Sequence, residues 1–178
     1  MKPDYISCLT QACERSRELN LIPEDFILNL NIMELGEDFD DYLFKLHIHL
    51  KQNEGVLGNC FKVSHWLRDL VNDFFKEDCA LITIGHVIDD GQPVFHQSMD
   101  QRLRQLELGQ VKLPINLHCW ITLPGGIILD PTFFTTKYES WRGRILFGYY
   151  KDMPESVFFY PEFIGSEYLI RTGIPIDM

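Results

Sequence analysis

No stretch of this sequence approaches the ~18 consecutive apolar residues that a membrane-spanning helix needs. Positive charge is scarce as well. Sixteen Lys and Arg stand against 26 Asp and Glu, for a formal net charge of −10. Phosphate contacts need clustered Lys and Arg, so this balance argues against DNA or RNA as partner and against a basic helix lying on a membrane. The cysteines, Cys8, Cys13, Cys60, Cys79 and Cys119, are odd in number and include no C-x-x-C pair. That fits neither a disulfide framework nor a zinc ribbon, and the default for each is a small buried apolar side chain. Ligand spacing is missing among the histidines too. His47 and His49 would share a face only in a strand, and His86, His96 and Cys119 form no set, so no metal or other cofactor is expected. The opening residues, MKPDYISCLTQACERS, hold no long apolar core and carry acids early, unlike a signal peptide, and the cytoplasm is the expected location. Internal repeats, low-complexity tracts and linkers are absent.

What is present is an ordinary globular composition, 46% hydrophobic and 24% charged, in 178 residues. That is enough for a single domain, residues 1–178, with a real core. Asp4 to Asn20 carries apolar residues at Ile6, Leu9 and Cys13 and reads as an amphipathic helix. LIPEDFILNLNIMELG, from Leu21 to Gly36, begins with a proline and two acids and reads as a second helix. In the next segment Phe39, Leu43, Leu46 and Leu50 have helical spacing. Phe44, Leu46, Ile48 and Leu50 also alternate as in a strand, but the acids at its start and Lys51 and Gly55 at its end favour helix. Val63, Trp66, Leu67, Leu70, Val71 and Phe74 form the clearest helical stripe. CALITIGHVID is a buried strand, DGQPVFHQSM a turn and a second short strand or loop, and DQRLRQLELGQVKLP a short helix or an extended excursion. NLHCWITLPGGIILDPTF reads as a hairpin, GRILFGYY as a further strand, and the aromatic-rich tail as mixed. Helices first and strands after predict an α+β fold, with N-terminal helices packed on a mostly antiparallel sheet.

Cys60 follows Gly58-Asn59 and opens the best helix. A helix N-terminus presents N–H groups and the positive end of the helix dipole, which favour a thiolate and could hold a developing oxyanion. The other four cysteines lack that placement. A nucleophilic thiol needs a base, and the base needs an orienting carboxylate. The hairpin supplies His118 near the start of its first strand and Asp130 at the end of its second. If Pro124-Gly125-Gly126 is a three-residue loop, Leu123 faces Ile127 and Trp120 faces Asp130. His118 and Asp130 then share a face as diagonal neighbours, roughly 7–8 Å apart at the backbone. If Gly125-Gly126 alone turn, Asp130 pairs with Ile121 and points away. Trp120, on the face of His118, either walls the site or packs the core. Cys119 points to the opposite side, and His65, five residues past Cys60, should lie at the surface or rim. Each residue alone has a plain reading: a helix start, a strand histidine, a turn-forming Asp-Pro. The three in this order carry more weight together.

In that order the residues resemble the transglutaminase-like branch of the papain-like cysteine enzymes. GNCFKVSHWLRDL is similar to its nucleophile helix, LITIGHVID to its first strand and HCWITLPGGIILDPT to its His–Asp hairpin. IPEDF followed by GNCF is distantly similar to arylamine N-acetyltransferases. The resemblance covers about Leu50 to Phe134. It implies a papain-like core with Cys60 as nucleophile, His118 as base and Asp130 as its orienter. No upstream glutamine matches the family's oxyanion position cleanly, and Gln52, Asn53 and Asn59 are the candidates for it. Asn59 and Trp120 are the expected substrate contacts, with the Cys60 N–H as oxyanion donor. The expected activity is thioester-mediated acyl transfer or amide hydrolysis on a protein, peptide or small amide. A non-catalytic binding or scaffold module on the same fold is the alternative. The long stretch from Asp89 to Pro114 is expected to shape or cover the site, so that deleting Met99 to Leu108 would alter specificity more than stability. Replacing Cys60 or His118 by alanine is expected to leave the fold intact.

Overall fold

The structure, a computed structural model, describes residues 4–52, 58–111, 114–138 and 144–176. Three longer helices come first: α1 (Tyr5–Glu18), α2 (Glu37–Gln52) and α3 (Cys60–Phe75). Then follow β1 (Leu81–Asp89), β2 (Gln92–Val94), α4 (Met99–Leu108), β3 (His118–Leu123), β4 (Ile127–Asp130), α5 (Phe133–Lys137), β5 (Leu146–Tyr149), β6 (Val157–Ile164) and α6 (Glu167–Arg171). The architecture is α+β. The strands run β6, β1, β3, β4, β5, with β2 continuing the β3 side of β1, and every pairing is antiparallel. Among the described residues no helix is long and apolar enough to cross a membrane.

The sheet is covered on both faces, which explains why its central strands are apolar throughout rather than alternating. On one face Leu67 and Val71 of α3 and Phe39, Leu43, Leu46 and Leu50 of α2 share a core with Cys119 and Ile121. Ser64 pins α3 to β3 by donating to the Cys119 carbonyl at 3.0 Å. On the other face Tyr5, Leu9, Ala12 and Cys13 of α1 pack with Trp120, Ile128, Phe133 and Phe159. Asp4 caps α1 by accepting from the Ser7 N–H at 2.9 Å, and Ser16 accepts from the Ile164 N–H at 2.9 Å, docking the far end of α1 on β6.

The segment Leu21 to Gly36 is not the helix its proline and acids suggest. Phe26 and Leu28, then Met33 and Leu35, are half-buried while their neighbours Ile27 and Ile32 stand 85% and 78% exposed. That alternation belongs to extended chain. Asn29 accepts from the Asn31 N–H at 3.1 Å, a local side-chain bond that competes with helical pairing and outweighs the terminal signals.

Of the two readings of the stretch before His118, the structure takes the short helix. Ser98 and Gln101 form a reciprocal capping box, and α4 ends at Gly109 in the left-handed conformation. From α4 the side chain of Arg102, only 1% exposed, reaches through the core. It donates to Glu162 (2.9 Å), to Gln97 (2.7 Å) and to the carbonyls of Phe95 (3.2 Å) and Asn116 (2.6 Å). The other Glu162 carboxylate oxygen meets His86 Nδ1 at 2.7 Å. Helix α4 is therefore part of the core, and deleting Met99 to Leu108 would remove a buried cation from a buried anion. The expected outcome is loss of folding rather than a shift in specificity. Arg102→Ala alone should cost about 3–5 kcal/mol, because Glu162 loses its strongest partner away from water, and thermal melts check this directly.

Candidate active site

The hairpin adopts the three-residue-loop register. Leu123 pairs with Ile127, Thr122 with Ile128 and Ile121 with Leu129, which continues to Trp120 opposite Asp130. Pro124 starts the turn, and Gly125 and Gly126 follow at φ 73° and 80°, a left-handed pair that only glycine adopts without cost. A Cβ on Gly126 would lie 2.7 Å from Ile6 and 3.0 Å from Tyr150, so the tight turn is also sealed by α1. His118 and Asp130 consequently share a face.

His118 Nε2–H donates to Asp130 Oδ2 at 2.6 Å. The other carboxylate oxygen, Oδ1, accepts from the Thr132 N–H (2.8 Å), the Thr132 hydroxyl (2.9 Å) and the Phe133 N–H (3.1 Å). The turn-forming and orienting roles of Asp130 are thus one arrangement. One oxygen folds the chain into α5 and the other fixes the imidazole. Every bond to this fully buried carboxylate comes from a donor, as its burial requires. With Nε2 engaged, Nδ1 is left for the thiol, and Cys60 lies close enough to the ring to favour its charged form.

Cys60 is the first residue of α3 and 7% exposed. No acid occupies the first turn of the helix, and Asn59, the residue before it, makes no capping bond with its side chain. The positive end of the dipole is therefore not neutralised by the helix itself. Gln52 ends α2, and Asn53 lies outside the described residues.

The imidazole is walled by aromatic rings. Phe95 stacks on it at 5.2 Å between centroids and Trp120 at 5.9 Å, while Phe133 meets it at 5.9 Å nearly edge-on and Phe159 lies at 6.4 Å. Burial on this scale is the largest single influence on the ring and by itself lowers its pKa. The Asp130 charge and hydrogen bond, joined by Cys60, act the other way and prevail, pushing it up to about 10. The folded protein thus keeps a proton that the unfolded chain, with an ordinary value of 6.5, would release. This stabilisation is complete below pH 6.5 and lost as pH rises through about 10.

Trp120 is fully buried and so offers no surface to a ligand, and of its two readings the structure gives it core packing beneath His118. Its indole N–H donates to the Tyr5 hydroxyl at 3.0 Å, and Tyr5 in turn meets Thr122 at 2.7 Å. His65 is not at the rim. It is 7% exposed, with Nδ1 on the Phe61 carbonyl at 2.8 Å and Nε2 on the Ser166 hydroxyl at 2.6 Å, because α3 packs against the start of α6. Cys119 is fully buried on the opposite face of β3, and burial, reinforced by the nearby Cys60, holds its thiol well above the usual range.

Two contributors escaped the sequence. Phe95 carries no motif, and its approach to His118 depends on a left-handed backbone at φ 61° that nothing in the string announces. Arg102 reads as one more charge in a polar segment, although the S-x-x-Q cap before it marks the helix that aims it inward. Among the described residues no three His, Cys, Asp or Glu side chains gather as a metal ion would need. No family model matches the chain, and neither a curated protein nor a solved structure matches it.

Proposed function

We propose that this protein is a thiol-dependent enzyme of the transglutaminase-like, papain-like kind, a single cytoplasmic domain that transfers or hydrolyses acyl groups taken from an amide. The observation that carries the reading is the imidazole of His118 bound to the Asp130 carboxylate at 2.6 Å, with Cys60 beside it at a helix N-terminus. In this reading the Cys60 thiolate attacks the carbonyl carbon of a protein, peptide or small amide. The oxyanion forms against the N–H groups at the start of α3, with Asn59 beside it. The carbon–nitrogen bond breaks, His118 gives its Nδ1 proton to the departing amine, and a thioester remains on Cys60. Water or a second amine then attacks the thioester, losing its proton to His118 and freeing the thiolate. No cofactor enters the scheme, and the acidic surface does not suit nucleic acid.

The near-complete burial of both groups favours a second reading, a non-catalytic module in which the same trio only stiffens the fold. Iodoacetamide separates the two. An enzyme labels at Cys60 at least about tenfold faster than at the other four cysteines near pH 7, as a stabilised thiolate should. Peptide mapping locates the adduct. Uniformly slow labelling that follows global unfolding would reject the enzyme. On an amide substrate, activity should also decline on the alkaline side only as His118 loses its proton, near pH 10 rather than near 6.5.

A further inference from the structure

Among the described residues Phe95 is one of four non-glycine residues with positive φ, at φ 61°, and it is the one whose side chain lies against the imidazole. A phenylalanine there is strained, and such strain persists only where surrounding contacts impose it. The imposing contact is visible. Arg102, itself buried and anchored on Glu162, donates to the Phe95 carbonyl at 3.2 Å and to the Asn116 carbonyl at 2.6 Å. It therefore grips the backbone both at Phe95 and two residues before His118. The result is an aromatic ring laid nearly parallel to the imidazole, 18° between planes. The remaining neighbours of the ring are Trp120 of β3, Phe133 of α5 and Phe159 of β6, all apolar, and the titratable groups facing it are Asp130 of β4 and Cys60 of α3. Phe95 differs from these other rings in being only half-buried, which makes it the ring that lies on the solvent side of the imidazole.

We infer that Phe95, clamped by Arg102, is a positioning residue for His118: its ring fixes the plane of the imidazole and keeps water from the His118–Asp130 hydrogen bond. This rests on reading His118 as the base for Cys60. The ring exchanges no proton or bond in the reaction, and its role is exerted wholly through His118.

The test uses the full chain with ¹⁵N-labelled histidine. Exchange of the His118 Nε2 proton with water is measured together with iodoacetamide alkylation of Cys60 and a thermal melt. Phe95→Leu should speed proton exchange at least tenfold and slow alkylation several-fold, whereas Phe95→Tyr, which keeps the ring, should stay within about threefold of the parent in both. Phe95→Gly separates positioning from stability. Glycine is at ease at φ 61°, so a purely structural residue would be replaced at little cost to either readout, while a positioning residue gives fast exchange whatever the melting temperature. The glycine variant also supplies the measurement should the leucine variant not fold. Exchange in both ring-less variants within twofold of the parent overturns the inference. A parent protein whose Cys60 labels no faster than its other cysteines defeats the enzyme reading instead, and the exchange measurement still decides what Phe95 does to His118.

Discussion

Cys60→Ala should lower turnover of an amide substrate by at least about 10⁴-fold while leaving the melting temperature almost unchanged. The sulfur is removed from a site with 7% exposure and replaced by a side chain only slightly smaller, so little packing is lost. Without the thiolate there is no thioester, and only binding and the helix N–H groups remain. His118→Ala should lose as much activity, but it is not the neutral substitution that the sequence suggests. It empties a space between four aromatic rings and leaves Asp130 Oδ2 buried without its donor. A loss of about 3–5 kcal/mol is expected from that stranded charge. His118→Gln, which can still present an N–H to Asp130, is the cleaner test of chemistry. Activity within tenfold of the parent in either the Cys60 or the glutamine variant rejects the proposed roles.

Asp130→Asn should lower turnover by about 10³-fold, a large loss but smaller than removal of the nucleophile. The reason lies in the donors around the carboxylate. An asparagine can turn its carbonyl toward Thr132 and Phe133, in which case its NH₂ faces Nε2 and drives the imidazole proton to Nδ1, the nitrogen that must accept from the thiol. Turned the other way, it sets its NH₂ against three donors. Either orientation leaves a conflict, and about 1–3 kcal/mol of stability should go with it. Asp130→Ala should cost about 3–5 kcal/mol, since it abandons the turn into α5 as well as the histidine. Parallel melts and rate measurements distinguish these outcomes. A stable, active Asp130→Ala protein would reduce the residue to a dispensable turn former.

The parts of this molecule legible in its sequence are those written in local pattern. The stripe from Val63 to Phe74 marks α3, and the proline and two glycines of the hairpin carry enough turn chemistry to pose the register as a choice. The structure takes the odd loop, the left-handed φ of both glycines shows how the chain accommodates it, and His118 and Asp130 share a face in consequence. What pattern does not carry is partner-dependent. Leu21 to Gly36 has helix-start residues but spends its apolar side chains in alternation along the surface of the two cores, a choice visible only once those cores exist. Arg102 and Glu162 are charged residues in charged company, and sequence offers no sign that they meet under α4. His65 is likewise buried by α6, which lies far along the chain.

The hydrogen bond between His118 and Asp130 spans twelve residues of one hairpin, whereas Cys60 reaches that hairpin only across β1, β2 and α4. Local hairpin contacts form early in folding and distant docking forms late. If Cys60 is the proposed nucleophile, a chain emerging from the ribosome therefore holds it without its base for as long as the hairpin is still unmade. In the proposed enzyme its reactivity then waits on the docking of α3 and the hairpin. On that proposal, covalent labelling of Cys60 during refolding should report when the hairpin has docked.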